Sequence, residues 1–213
     1  MSKVKLITGG ANGADFEFIK NAFEYDIPVD IYSFDKHHIA SCYNKYLSDP
    51  LIDIYYKNST EESEEFLNKA YKTLGRNIGS NAYMHNLLTR NYFIIKDSDI
   101  VYAVGNLNKN TGIVEGGTGW GVEFAKLLDR NLFLFDQLNN SWYYYDLNKF
   151  YILNKDEYIW NIQDACFDLK QHGCYELTVS GIGSRNITEQ SKNAINDVFE
   201  FKRKITYEYY KCK

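Results

Sequence analysis

Three segments combine glycines with polar residues in an order that could hold a phosphate group. They are Thr8-Gly9-Gly10-Ala11-Asn12-Gly13-Ala14-Asp15, Gly116-Gly117-Thr118-Gly119-Trp120-Gly121-Val122-Glu123 and Ser180-Gly181-Ile182-Gly183-Ser184-Arg185. Glycine lets a backbone turn tightly and approach a ligand closely. A helix that starts just beyond such a turn offers free N–H groups and the positive end of its dipole, which suits an anion. In the first segment the candidate ligand-binding residues are Gly9, Gly10, Ala11, Asn12, Gly13 and Asp15, with a helix-capping carboxylate as the plainer role for Asp15. In the second they are Gly116, Gly117, Thr118, Gly119 and Trp120. Four glycines in the six residues 116–121 are more than a turn needs, because each costs conformational entropy. Thr118 could donate a hydroxyl, and Trp120 could stack on a base or serve as a buried anchor. In the third, Gly183, Ser184 and Arg185 are the candidates, since an arginine beside a glycine loop can grip a phosphate with two parallel hydrogen bonds.

Each segment must be carried by a strand that enters it and a helix that leaves it. Val4–Thr8, Val29–Phe34, Asp99–Val104, Asn131–Asp136 and Leu177–Ser180 are apolar runs of strand length. Helical periodicity covers Ala14–Tyr25, Glu61–Leu74, Ala82–Ile95, Val122–Leu128, Asp156–Leu169 and Glu189–Lys204, with Asn186 or Thr188 capping the last. Asn106–Thr111 is a polar turn, His37–Ser59 is irregular, and Trp142–Leu153 alternates like a β-hairpin. Alternating strands and helices predict an α/β, Rossmann-like parallel sheet with helices on both faces, plus the hairpin around Trp142. We expect a single domain over 1–213, with 35–60 as an insertion and 177–213 completing the sheet. Parallel strands align their C-terminal ends, so all three segments should converge on one edge.

Composition narrows the function classes. The chain is 45% hydrophobic and 24% charged, with a net charge of -4, which disfavours a broad basic face for nucleic-acid phosphates. Cys42, Cys166, Cys174 and Cys212 form no CxxC pair, so free thiols in a reducing compartment are expected. The start runs into a strand-like segment and not a signal peptide, and no apolar run reaches bilayer length. A cytoplasmic protein follows as the expectation. His37 and His38 are adjacent and point apart, and His85 and His172 are isolated. Neither a metal nor a cofactor is therefore expected. Ser184 has no evident histidine partner for a hydrolase triad.

These motifs resemble the SLOG superfamily of Rossmann-like proteins, which includes DNA-processing protein A, the LONELY GUY phosphoribohydrolases and the molybdenum cofactor carrier proteins. GGTGWGVE resembles the LONELY GUY signature GGxGTxxE, with Glu123 at the glutamate position and Trp120 in place of its threonine. Arg90 resembles that family's catalytic arginine. GGANGAD and SGIGSRNIT resemble two loops of DNA-processing protein A, but the second stands last here and not first. The resemblance therefore implies a circularly permuted chain, with Leu177–Ser180 lying beside Val4–Thr8. The whole chain looks closest to an uncharacterised phage-type branch.

Three functions are compatible with these features. The first is a sensor, carrier or sequestering protein for a nucleotide or nucleotide-derived phosphate ligand. The second, implied by the resemblance, is a phosphoribohydrolase that cleaves the N-glycosidic bond of a nucleoside 5′-monophosphate, with Arg90 and Glu123 catalytic. The third is single-stranded DNA binding, the weakest given the acidic balance. The expected partner is a nucleotide-like small molecule, not a nucleic acid or a membrane, and a homo-oligomer is allowed.

Overall fold

Apolar, β-branched and aromatic runs build a sheet whose central strands are buried on both faces. In the computed structural model, which describes residues 3–37, 39–76, 81–153, 162 and 176–200, the order along the chain is β1 (Lys3–Thr8), α1 (Ala14–Glu24), β2 (Val29–Ser33), β3 (Ile52–Tyr56), α2 (Glu61–Leu74), α3 (Ala82–Lys96), β4 (Ile100–Gly105), β5 (Leu107–Asn108), β6 (Ile113–Val114), α4 (Thr118–Leu127), β7 (Asn131–Asp136), β8 (Ser141–Asp146), β9 (Lys149–Ile152), β10 (Glu176–Gly183) and α5 (Glu189–Phe199). The main sheet has the order β3-β2-β1-β10-β4-β7-β8-β9. It is parallel from β3 to β7, and β8 and β9 add an antiparallel hairpin. The fold is mixed α/β and Rossmann-like. All residues of β2 and β4 are buried, as expected of parallel strands covered on two sides.

Helices α1 and α5 cover one face, where Phe18, Ile195 and Val198 pack with Val179 and Tyr102. Helices α2, α3 and α4 cover the other, where Leu67, Tyr92 and Phe124 pack with Ile7, Val101 and Leu134. Side chains fix the starts of three helices by taking up free backbone N–H groups. Thr60 forms a reciprocal box with Ser63 on α2, Asn81 accepts from Tyr83 and Met84 on α3, and Thr188 accepts from Ser191 on α5.

The chain moves from β1 to β2 in one direction and from β4 to β7 in the other, and β10 lies between β1 and β4. This reversal is where open α/β sheets leave a crevice at their strand ends. β10 pairs in parallel with β1, Leu177 opposite Val4 and Ser180 opposite Ile7. The two ends of the sequence therefore share one sheet, as the permuted reading requires.

Four boundaries differ from the sequence reading. Residues 52–56, inside the stretch read as irregular, form β3; it is an edge strand in which only Ile52 is buried, so apolar alternation does not mark it. The polar turn at 106–111 is part of a small hairpin of β5 and β6. Helix α4 begins at Thr118 and not at Val122, so Gly119, Trp120 and Gly121 are helical. β10 runs on to Gly183. The expected helix 156–169 apart from Ile162, which is helical and buried in the core, together with His38, His172, Cys166, Cys174, Cys212 and residues 201–204 of the last expected helix, lies outside the described residues. No helix among the described residues is long and apolar enough to cross a membrane.

Candidate functional site

The first and third glycine segments are in direct contact. Gly10 and Gly13 have φ of 70° and 88°, backbone that side chains rarely adopt. A Cβ on Gly13 would stand 2.4 Å from the carbonyl oxygens of both Ser184 and Arg185, and one on Gly183 would stand 2.6 Å from the Ala14 Cβ. The Ala14 amide donates to the Ser184 carbonyl at 3.1 Å, and the Ser184 amide donates to Val104 at 2.9 Å. Below them the Thr8 hydroxyl donates to the Gly181 carbonyl at 2.8 Å. The third segment is thus stitched between the start of α1 and the end of β4.

Arg90 reaches this junction from α3. It is 2% exposed, and its Nη1 lies 1.3 Å from where a Gly9 Cβ would stand. Its buried Nε has no hydrogen-bond partner. Burial lowers its pKa, partly offset by Asp15, Tyr83 and Tyr43 and reinforced by Arg185. Among the described residues no carboxylate forms an ion pair with it, and Asp15 is the main charge that offsets its burial. Arg185 is exposed at the end of the same loop and lies within electrostatic reach of Arg90.

Asp15 sits among the same groups. It is 5% exposed and accepts from the Ala11 amide at 3.3 Å. Burial raises its pKa to about 6, against the pull of Arg90 and of the Ala11, Gly183 and Gly9 amides. The amides that could cradle a phosphate therefore already face a carboxyl that gains a proton in mildly acidic solution.

The second segment lies at the same sheet edge, since Thr118 opens α4 against Gly105 at the end of β4. Gly116 (φ 64°) and Gly117 are exposed, with open space where a Cβ would be. Arg76 fastens this turn by donating to the Gly116 and Val114 carbonyls at 2.8 and 2.9 Å. Gly119 and Gly121 have packing reasons: their Cβ atoms would stand 2.1 Å from the Val114 carbonyl and 2.5 Å from Ile182 Cδ1. Trp120 is buried in the core beneath α4. Glu123 is also buried, with Lys126 Nζ 3.4 Å away. Arg90 and Glu123 thus keep different neighbours, Asp15 for the first and Lys126 for the second.

The sequence reading omits three residues that shape the site. Tyr43, fully buried, donates to the Ala11 carbonyl at 2.5 Å. Tyr83 stands edge-on to Phe34 with ring centroids 5.2 Å apart, near Arg90. The third is Arg76. Tyr43 lies in the irregular stretch, and nothing in its local pattern announces the long-range contact.

No protein-family model matches the chain, and no curated protein matches it. Among solved structures, the chain is similar to the crystal structure of a proposed molybdenum carrier protein from Syntrophus aciditrophicus, with 16% identity, 93% of this chain and 96% of that chain covered, and a TM-score of 0.46.

Proposed function

We propose that the chain is a binding protein for a phosphate-bearing, nucleotide-derived small molecule, acting as a carrier, sensor or sequestering protein of the SLOG type. The observation that carries this reading is Arg90. Its guanidinium is buried against Gly9, its Nε is unpartnered, and it is within electrostatic reach of Asp15 in the first turn of α1. A phosphate there would gain the Arg90 charge and the Arg185 fork, and would take over from Asp15 the amides of the first glycine turn. Gly116 and Gly117 leave open backbone at the same edge for the rest of the ligand. The motifs GGANGAD, GGTGWGVE and SGIGSRNIT, together with the pairing of β10 beside β1, support the SLOG placement.

Binding is favoured over glycosidic hydrolysis because Glu123 is engaged with Lys126 and not with Arg90. The test is to purify the protein, denature it and identify released small molecules by mass spectrometry. A stoichiometric phosphate-bearing compound supports the reading. Release of a compound without phosphate contradicts it.

A further inference from the structure

A second concave surface lies where the tip of the β5–β6 hairpin and the far end of α4 meet the β8–β9 hairpin. It is an open-sided cleft of about 630 Å³, a size that suits a small organic ligand. Tyr143, Tyr145 and Phe150 form its aromatic wall, and Lys109, Lys126 and Lys149 are among its lining residues, which include no carboxylate. In a chain whose net charge is -4, this is a local concentration of positive charge.

The three lysines are not equivalent. Lys126 is fixed: its Nζ lies 5.1 Å from the Tyr145 ring centroid and 5.2 Å from that of Phe150, donates to the Gly112 carbonyl at 3.2 Å, and has Glu123 3.4 Å away. Glu123 neutralises that charge from beneath, and the cation holds the two rings in place. Lys109 and Lys149 are exposed and form no ion pair with a described residue. Their charges are free to act on whatever enters the cleft.

We infer that this cleft is a second ligand site, for a small organic anion built on a planar ring. The rings offer an apolar face on which a planar group can stack, and Lys109 and Lys149 supply charge-assisted hydrogen bonds to its anionic substituent. Glu123 and Lys126 then act as positioning residues, and a structural role for Glu123 replaces the catalytic one. The inference does not depend on the phosphate site.

The probe is 1-naphthalenesulfonate, titrated into the full chain by calorimetry, with 1-naphthalenemethanol as the uncharged counterpart. Saturable binding of the sulfonate, at least about tenfold tighter than the alcohol, is expected. The double variant Lys109→Glu/Lys149→Glu, which alters only exposed side chains, should weaken sulfonate binding about tenfold or more while its circular dichroism stays that of the wild type. Tyr145→Leu should weaken both compounds. Absence of saturable binding, equal affinity for the two compounds, or indifference to the double variant would each overturn the assignment.

Discussion

Arg90 Nη1 lies 1.3 Å from the point where a Cβ on Gly9 would stand, so glycine at position 9 is what lets the guanidinium enter the first loop. Gly9→Ala should therefore push Arg90 out of its seat. Overpacking of this kind costs about 1–3 kcal/mol, readable as a lower urea midpoint. Inorganic phosphate should bind far more weakly to the variant in calorimetry. Unchanged phosphate affinity would mean that the Gly9–Arg90 contact is packing and nothing more.

Asp15 gives the site a pH dependence whose direction can be worked out. Its pKa rises from 3.8 to about 6 through burial. The stability linked to a raised carboxyl is fully present below 3.8 and is lost as pH rises through about 6. Ionising it costs on the order of 2–3 kcal/mol. Asp15→Asn should thus gain on the wild type in urea denaturation as pH goes from 4 to 7. A gap that stays flat or shrinks would contradict this.

At the proposed phosphate site the same proton should also govern anion binding. Ionised Asp15 competes for Arg90 and the loop amides, and protonation frees them. Sulfate, whose own charge is constant over this range, should bind more tightly as pH falls from 7 to 5 in the wild type and show little change in Asp15→Asn. Parallel pH profiles for the two proteins would remove Asp15 from the binding event.

Catalysis is tested by incubating the protein with the common nucleoside 5′-monophosphates and analysing for free base. No release is expected, because Glu123 is engaged by Lys126. Base release that disappears in Glu123→Gln would restore the phosphoribohydrolase reading.

β10 pairs with both β1 and β4 in the middle of the sheet, and Ser184 ties it to α1. Ending the chain before Glu176 should abolish cooperative unfolding and phosphate binding together, since two ladders and part of the core are lost. A soluble truncated protein that still binds phosphate would show that this strand does not build the site.

Much of this arrangement is legible in the residues. Apolar runs ending in glycine mark β1, β4 and β10, and the order of the two outlying loop motifs predicts that β10 lies beside β1. What escapes has a physical cause in each case. β3 is an exposed edge strand, so its burial pattern lacks alternation. The start of α4 is hidden because glycine is a poor helix former, and tertiary packing against Val114 and Ile182 overrides that preference. The neighbours of Arg90, namely Gly9, Asp15, Tyr43 and Arg185, come from elements far from it in sequence, which local spacing does not encode; the Glu123–Lys126 pair is an i,i+3 contact within α4. The lysine and tyrosine cleft draws on two hairpins and a helix end, and is invisible for the same reason.

The most direct test of the central claim compares each common nucleoside 5′-monophosphate with its parent nucleoside by calorimetry, in the wild type and in Arg185→Ala. The phosphate site predicts that at least one monophosphate binds clearly more tightly than its nucleoside. It also predicts that Arg185→Ala costs that monophosphate about 1.5–3 kcal/mol, the range for a charged hydrogen bond, and leaves the nucleoside unaffected. Equal losses for both ligands, or no preference for the monophosphate in the wild type, would contradict the claim that the glycine loops, Arg90 and Arg185 read a phosphate.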